Sequence, residues 1–219
     1  MQIAETSGEF PDNLLDDPYN IKTYAAKSAN MNKENLRRFY SEVFWPSMNQ
    51  RDRTKMILLM DSWTANTDEV LFSENKPPGI TCFKKLIPAG ATGLIQPLDI
   101  YFSRPYKNMV KYITDHALDD SVVNIWTRNN FIKLQSFVHY QFTSPLFKNI
   151  ILYAFYKSGY LVHKPLKVPP PAKFCFRDLN PLCQEANCDQ DGFVKCAHCF
   201  NTFCVRHSTR TKLHIYCQS

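Results

Sequence analysis

The feature that most constrains the fold is an uninterrupted apolar run at residues 56–60, MILLM, that ends on Asp61. Such a run without a charge is typical of a buried strand, and open α/β sheets bind ligands beyond the carboxyl ends of their strands. A second aspartate, Asp99, follows in the segment QPLD at residues 96–99. If the fold brings these two carboxylates together, they could hold a divalent metal ion.

Strand and helix signals alternate along most of the chain. Segments rich in strand-forming residues predict strands at residues 21–28, 56–60 and 80–87. Apolar residues at helical spacing predict helices at residues 32–48, 68–72, 98–118, 128–140 and 145–158. Asn32 is the expected N-cap of the first helix, and Gly159 is expected to close the last. This order predicts an α/β fold with a partly parallel sheet.

Composition limits the partners. With 219 residues, of which 44% are hydrophobic, the chain can bury a sizeable core. Its net charge of +6 favours an anionic partner such as nucleic acid, although a moderately basic surface is also common among proteins that bind none. No apolar run reaches the roughly 18 residues that a membrane span needs, and the N-terminus does not resemble a signal peptide. We therefore expect a soluble chain with no secretion signal.

The cysteines concentrate in the tail. Of the eight, all but Cys82 follow residue 174, and most form close pairs with histidines nearby. This spacing favours metal binding in a reducing compartment over a disulfide framework. Zinc takes four thiolate or imidazole ligands, so eight ligands in four pairs predict two ions. The predicted ligands are Cys183, Cys188, Cys196, Cys199, Cys204, His207, His214 and Cys217.

Three segments of the sequence resemble the DDE superfamily endonuclease domain of pogo- and mariner-like transposases. They are residues 58–63 (LLMDSW), 87–99 (IPAGATGLIQPLD) and 104–107 (RPYK). In that family an apolar strand delivers the second catalytic acid, and a Pro-rich turn leads through Gln-Pro-Leu-Asp to the third. The 37 residues between Asp61 and Asp99 are close to the family's spacing. The resemblance extends over residues 2–161.

The resemblance implies a ribonuclease-H-like fold and metal-dependent cutting and joining of DNA. Asp61 and Asp99 look like the second and third acids of the triad, with magnesium or manganese as the ion. The strand that carries the first acid in the family has no counterpart before Asp61. Glu5, Asp16 and Asp17 are poor substitutes, because no long apolar run precedes them. We expect a truncated or domesticated transposase fragment that cuts DNA weakly or not at all.

Basic residues flank the two acids in the sequence. They are Lys84, Lys85, Arg104, Lys107 and Lys111. Their position fits contacts with DNA phosphates, and a solvated charged face explains them almost as well.

The tail resembles the cross-braced double zinc finger of stress-associated proteins, including the aromatic residue Phe203 before a Cys-x2-His pair. In that pattern alternate pairs share an ion. The resemblance therefore implies one zinc on Cys183, Cys188, Cys204 and His207, and a second on Cys196, Cys199, His214 and Cys217. Cys175 and His198 are expected to bind no metal.

Together these features predict three segments. Residues 1–163 form the ribonuclease-H-like domain, residues 164–173 a stiff Pro-rich linker, and residues 174–219 a zinc module. The predicted function is that of a transposase-derived nuclear protein that binds DNA. The alternative is a non-catalytic zinc-finger adaptor that binds nucleic acid or protein.

Overall fold

The computed structural model describes residues 2–4, 18–26, 30–49, 55–117, 127–210, 214–215 and 217. The chain divides into two compact units. The first unit comprises Met1–Leu14 and Lys22–Gln96, and the second comprises Leu15–Ile21 and Pro97–Ser219. This division differs from the predicted segments, because the cysteine-rich tail lies in the same unit as the helices that precede it.

Two pairs of parallel strands belong to the first unit. Strand β1 (Gln2–Ala4) pairs with β2 (Tyr24–Ala26), and β3 (Lys55–Asp61) pairs with β4 (Thr81–Ile87). The strands predicted around residues 21–28, 56–60 and 80–87 are therefore confirmed. Among the described residues the two pairs are separate, rather than parts of one continuous mixed sheet.

Helices of the first unit cover one face of the β3–β4 pair. Helix α1 (Lys33–Phe39) continues through a π-helical turn (Tyr40–Phe44) into α2 (Trp45–Asn49), and the side chain of Asn32 caps its N-terminus as predicted. Short helices α3 (Glu69–Ser73) and α4 (Thr92–Ile95) follow β3 and β4. The wider π turn rotates each residue less than an α-helix does, so Tyr40 and Trp45 both face the core.

The core of the first unit is aromatic. Tyr40, Trp45 and Phe72 pack together, with ring centroids 5.5 Å apart for Tyr40–Phe72 and 5.2 Å for Trp45–Phe72. Alternate residues of β3, including Met56 and Leu58, contact this cluster. Because side chains alternate along a strand, this packing also fixes the direction in which Asp61 points at the carboxyl end of β3.

The second unit is mainly helical. A π-helical turn (Leu98–Phe102) leads into α5 (Ser103–Ala117), which is followed by α6 (Arg128–Phe142), a 3-10 turn (Pro145–Phe147) and α7 (Lys148–Lys157). These helices confirm the predicted ones, and Gly159 ends α7 with a φ of +80°. None of the described helices could cross a membrane.

The tail is built onto the helices. Helix α8 (Pro171–Cys175) begins inside the segment that was predicted to be extended. Its residues Pro171 and Cys175 are buried, so packing in the core stabilises this short helix. Strands β5 (Val194–Lys195) and β6 (Thr202–Phe203) form an antiparallel pair. Val194 and Ala197 share one core with residues of α5, α6 and α7. The cysteine-rich segment is thus part of the hydrophobic core of the second unit.

Replacement of Trp45 tests the core of the first unit. Its buried indole N–H donates to the carbonyl oxygen of Phe72 at 3.1 Å. Trp45→Phe leaves that carbonyl without its donor and removes packed volume, so we expect the free energy of unfolding to fall by about 2 to 3 kcal/mol. Urea denaturation followed by circular dichroism measures it. The matched control Trp63→Phe, at a half-exposed indole, should change stability by less than about 0.5 kcal/mol; equal losses would contradict the prediction.

Candidate metal centres and nucleic-acid interface

Asp61 is the last residue of β3 and pairs in register with Ile87 of β4. Its Oδ1 accepts a hydrogen bond of 2.6 Å from Nδ2 of Asn66 and a longer one of 3.4 Å from the backbone N–H of Trp63. The side chain is half-buried. The carboxylate is therefore oriented through one oxygen, and carboxylate oxygens are the ligands that magnesium and manganese prefer.

Asn66 is a site residue that the sequence did not reveal. It lies in a 3-10 turn (Thr64–Thr67) directly after the strand, and its side chain is buried. Its Nδ2 also donates to the carbonyl oxygen of Asp61, at 3.2 Å. Its own Oδ1 is buried and has no hydrogen-bond partner in the described part of the chain. Its spacing from Asp61 matches no common sequence motif. The 3-10 turn after the strand brings its side chain to the carboxylate.

Asp99 belongs to the second unit. It lies in the π-helical turn Leu98–Phe102, directly before α5, and its side chain is exposed. The sequence predicted this position at the start of a helix. Because a helix N-terminus favours anions, a cation held by Asp99 needs at least one further acidic ligand.

The predicted basic residues differ in their surroundings. The ammonium group of Lys84 lies 3.0 Å from a carboxylate oxygen of Glu69 and 4.9 Å from the centre of the Phe72 ring, and its side chain is only 3% exposed. A phosphate contact would have to break these interactions, so Lys84 is not part of the interface proposed below. Lys85, Arg104, Lys107 and Lys111 are exposed. The last three recur three and four residues apart and so share one face of α5.

The first group of side chains that could hold a metal ion comprises Cys183, Cys188, Cys204 and His207. Nδ1 of His207 lies 3.5 Å from Sγ of Cys183 and 3.4 Å from Sγ of Cys204. The sulfurs of Cys188 and Cys204 are 3.9 Å apart.

The second group comprises Cys196, Cys199, His214 and Cys217. The sulfurs of Cys196 and Cys217 are 3.6 Å apart. Here the imidazole presents Nε2, which lies 3.4 Å from Sγ of Cys199 and 3.1 Å from Sγ of Cys217. The ring of His214 stacks on Phe203, with centroids 3.8 Å apart, and this contact holds the imidazole.

Both groups have dimensions that fit zinc. Neighbouring ligand atoms of a tetrahedral zinc site lie about 3.5 to 3.8 Å apart, given Zn–S and Zn–N bonds of about 2.3 and 2.0 Å. In each group the four ligand atoms lie within 4.8 Å of one another. The structure gathers the eight side chains in the two sets of four that the resemblance implied, and either set could hold a metal ion.

Helix α6 supports the second group. Oε1 of Gln141 accepts a hydrogen bond from the backbone N–H of Ala197, and its Nε2 lies 3.7 Å from Sγ of Cys196. The hydroxyl of Ser144 donates to the carbonyl oxygen of Ala197 at 2.8 Å. The N–H of Cys217 donates to the Tyr140 hydroxyl at 3.2 Å. Residues at and just after the C-terminus of α6 thus hold both the segment that contains Cys196 and the segment that contains Cys217.

The cysteine thiols differ in pKa, even within one group. Burial raises the pKa of Cys196 to about 12 and that of Cys204 to about 11. Burial also acts to raise the pKa of Cys183, but hydrogen bonds with the backbone of Glu185 and Cys204 and with His207 outweigh it and lower the pKa to about 7. Because zinc binds the thiolate, metal binding at these cysteines would release protons.

Two residues expected to bind no metal have other surroundings. Cys175 is fully buried among apolar side chains. The ring of His198 stacks on Tyr140 with centroids 4.0 Å apart, and its Nε2 lies 2.8 Å from the Tyr140 carbonyl oxygen. Neither belongs to a group that could hold a metal ion among the residues searched.

The fold thus joins an α/β unit, with an acid at the end of a parallel strand, to a unit that carries two cysteine and histidine groups. The family model described as DDE superfamily endonuclease matches residues 4–140, more than half of the chain, and the chain belongs to this superfamily. The Tc5 transposase C-terminal domain matches residues 155–217. The two matches identify a transposase-derived protein of the pogo- and mariner-like type. No curated protein and no solved structure matched the chain.

The matches place the cysteine-rich tail in a transposase context. The spacing of its ligands resembles the double zinc finger of stress-associated proteins, whereas the matching family is a transposase domain that begins before the tail, at residue 155. This beginning agrees with the structure, because Val168, Ala172 and Phe174, which precede the cysteine and histidine groups, pack against the same core as Val194 and Ala197.

Removal of metal tests the two cysteine and histidine groups. We expect about two zinc ions per chain by elemental analysis. Cys183→Ser and Cys196→Ser should each lower the content to about one. A strong chelator should also raise amide hydrogen exchange at residues 136–142 of α6, because Gln141 and Tyr140 contact the second group.

The matched control is Cys175→Ala, which removes a buried cysteine of the same unit that belongs to neither group. It should retain two zinc ions. One ion or none in the unaltered protein would contradict the assignment.

Proposed function

We propose that this transposase-derived protein has a ribonuclease-H-like core, binds DNA in the nucleus, and as the 219-residue chain cuts DNA weakly or not at all. The observation that carries the proposal is the family match over residues 4–140, which includes Asp61 at the carboxyl end of a parallel strand. The proposed boundaries at residues 163 and 174 mark changes in the sequence, and the residues on either side of them pack into one hydrophobic core.

Asp61 and Asp99 are the proposed ligands of magnesium or manganese. Each offers carboxylate oxygens of the kind these ions take, and Asn66 holds the Asp61 carboxylate in a fixed orientation. In this superfamily the bound ions would activate the attacking oxygen and stabilise the leaving oxygen of a DNA phosphodiester. Asn66 is a positioning residue for this group.

Weak activity follows from the number of acids. The family resemblance assigns two of the three acids to residues of this chain, so two carboxylates share the charge that three would share. The second ion should therefore bind weakly. Glu5, Asp16 and Asp17, the poor substitutes for the first acid, lie outside the described residues.

DNA phosphates are the proposed partners of the exposed basic residues. Arg104, Lys107 and Lys111 share one face of α5, and the turn that carries Asp99 leads directly into this helix. Lys85, an exposed residue of the first unit, is also proposed to contact DNA phosphates. Such contacts hold the phosphate backbone and do not read sequence.

The zinc module supports a second candidate function, that of an adaptor for protein or nucleic acid. Phe200 is exposed at the turn after Cys199 and has a φ of +65°, and Leu146 is exposed on the same cavity of about 870 Å³. An exposed aromatic residue beside an apolar cavity favours protein contact. Cleavage-deficient DNA binding and adaptor function are compatible.

Plasmid nicking tests the proposed loss of catalysis. Supercoiled DNA incubated with the purified chain and manganese should stay at the background level of nicking, and Asp61→Asn should make no difference. Efficient nicking by the unaltered chain that Asp61→Asn or Asp99→Asn abolishes would show that the proposal is wrong.

A manganese titration provides the control for the two acids. If they share an ion, Asp61→Asn and Asp99→Asn should each abolish the same weak binding event, and the double variant should lose no more than either single variant. Asp115→Asn, which removes an exposed acid from α5, should retain binding. Unchanged titrations in both single variants would refute the assignment.

Binding of duplex DNA tests the face of α5. We expect the double variant Arg104→Gln/Lys107→Gln to weaken binding of a 20-base-pair duplex about tenfold at 100 mM salt. Because each lost phosphate contact removes about 0.9 from the slope of log K against log salt, the slope should fall by about 2. Fluorescence anisotropy over a salt series measures both.

The matched control is Lys148→Gln/Lys157→Gln, which removes the same charge from exposed positions of α7. It should leave the salt slope nearly unchanged. An equal effect of both double variants would mean that net charge alone governs binding.

A further inference from the structure

A cleft of about 590 Å³ lies in the second unit between α5 and the segment that contains α8. Lys111, Tyr112 and Asp115 line it from α5. Lys173 lines it from α8, and Phe176 and Arg177 line it from the residues that follow. None of the sequence features that point to the acids or to zinc includes this cleft.

The cleft is positively charged. Its lining contributes three cations, Lys111, Lys173 and Arg177, and one acid, Asp115. All three cations are exposed. Arg177 is paired with Asp178 at 3.5 Å, but both side chains are mostly exposed, and such surface pairs are weak enough to exchange for a phosphate.

Aromatic rings form the floor beside these cations. The Tyr112 ring stacks on Phe176 with centroids 4.7 Å apart and on His116 with centroids 4.8 Å apart. Tyr112 is nevertheless 44% exposed. A partly exposed aromatic ring next to cations is the combination with which proteins hold unpaired bases and their phosphates.

The cleft is preformed because both walls are anchored in the core. Met109 and Ile113 are fully buried on the opposite face of α5. Pro171 and Cys175 are buried on α8, and Ala172 and Phe174 pack against the same core. A ligand would therefore bind without the cost of ordering the walls.

We infer that this cleft binds a single strand of DNA, with phosphates on Lys111, Lys173 and Arg177 and an unpaired base against Tyr112 and Phe176. The inference rests on the proposed DNA-binding function. Paired bases within a duplex cannot reach a ring on the floor of a cleft, so the aromatic contacts favour a single strand. An acidic protein segment fits the charges but makes no use of the stacked rings.

The cleft adjoins the basic face of α5. Lys111 belongs to both, and it lies roughly three helical turns from Asp99. A strand that leaves a duplex held by Arg104 and Lys107 would thus meet Lys111 and then the cleft. Duplex and single strand would occupy consecutive parts of one helix.

Anisotropy with a fluorescein-labelled oligothymidylate of twelve nucleotides tests the inference. The unaltered chain should bind it, and Lys173→Gln/Arg177→Gln should weaken binding at least tenfold while changing duplex affinity less than threefold. Tyr112→Leu should weaken single-strand binding about tenfold, because it removes the stacking surface. Photo-crosslinking with 5-iodouracil should label the peptide that contains Tyr112 or the one that contains Phe176.

The control is again Lys148→Gln/Lys157→Gln, which should bind the oligonucleotide normally, and unchanged zinc content shows that each variant is folded. Equal losses in the two double variants, or an equal loss of duplex affinity in Lys173→Gln/Arg177→Gln, would overturn the inference. Binding of duplex but not of oligothymidylate would overturn it and leave the proposed function intact. Binding of neither would contradict both.

Discussion

The arrangement of the second unit depends on the side chain of Gln141, which links the last turn of α6 to the backbone of the turn that carries Cys196 and Cys199. Its amide oxygen accepts from Ala197, and its amide nitrogen approaches the sulfur of Cys196. Both groups are fully enclosed, so an unpaired amide there would carry its whole desolvation cost. The metal ligands and the helices therefore stabilise each other, although more than fifty residues separate them in sequence.

The same dependence explains why the tail is not a separate appendage. A segment of its length cannot bury enough apolar surface to fold alone. Metal bound at the two groups would supply part of the missing stability, and the packing of Val194 and Ala197 into the helical core supplies a further part. The short helix at Pro171–Cys175 belongs to this packing, and it also forms one wall of the basic cleft. The residues that anchor the tail thus also form part of the basic cleft proposed to bind single-stranded DNA.

The proposed function has two parts, metal-dependent chemistry and contact with DNA. Asp61, which Asn66 orients at the end of β3, is the proposed metal-binding acid. The basic residues of α5 and the stacked rings of Tyr112 and Phe176 are the proposed surface for DNA contact. The proposed function therefore emphasises contact with DNA over cleavage.

The sequence alone determined the features that depend on local order. Periodicity located β3, β4 and the helices, the side chain at Asn32 marked a helix start, and spacing indicated eight cysteines and histidines as ligands of two ions. Tertiary structure decided which long-range partners meet. Burial of Lys84 against Glu69, the approach of Asn66 to Asp61 and the seating of the tail on Gln141 all depend on packing between distant segments. Local pattern cannot encode such contacts, because they follow from how whole elements fill one core.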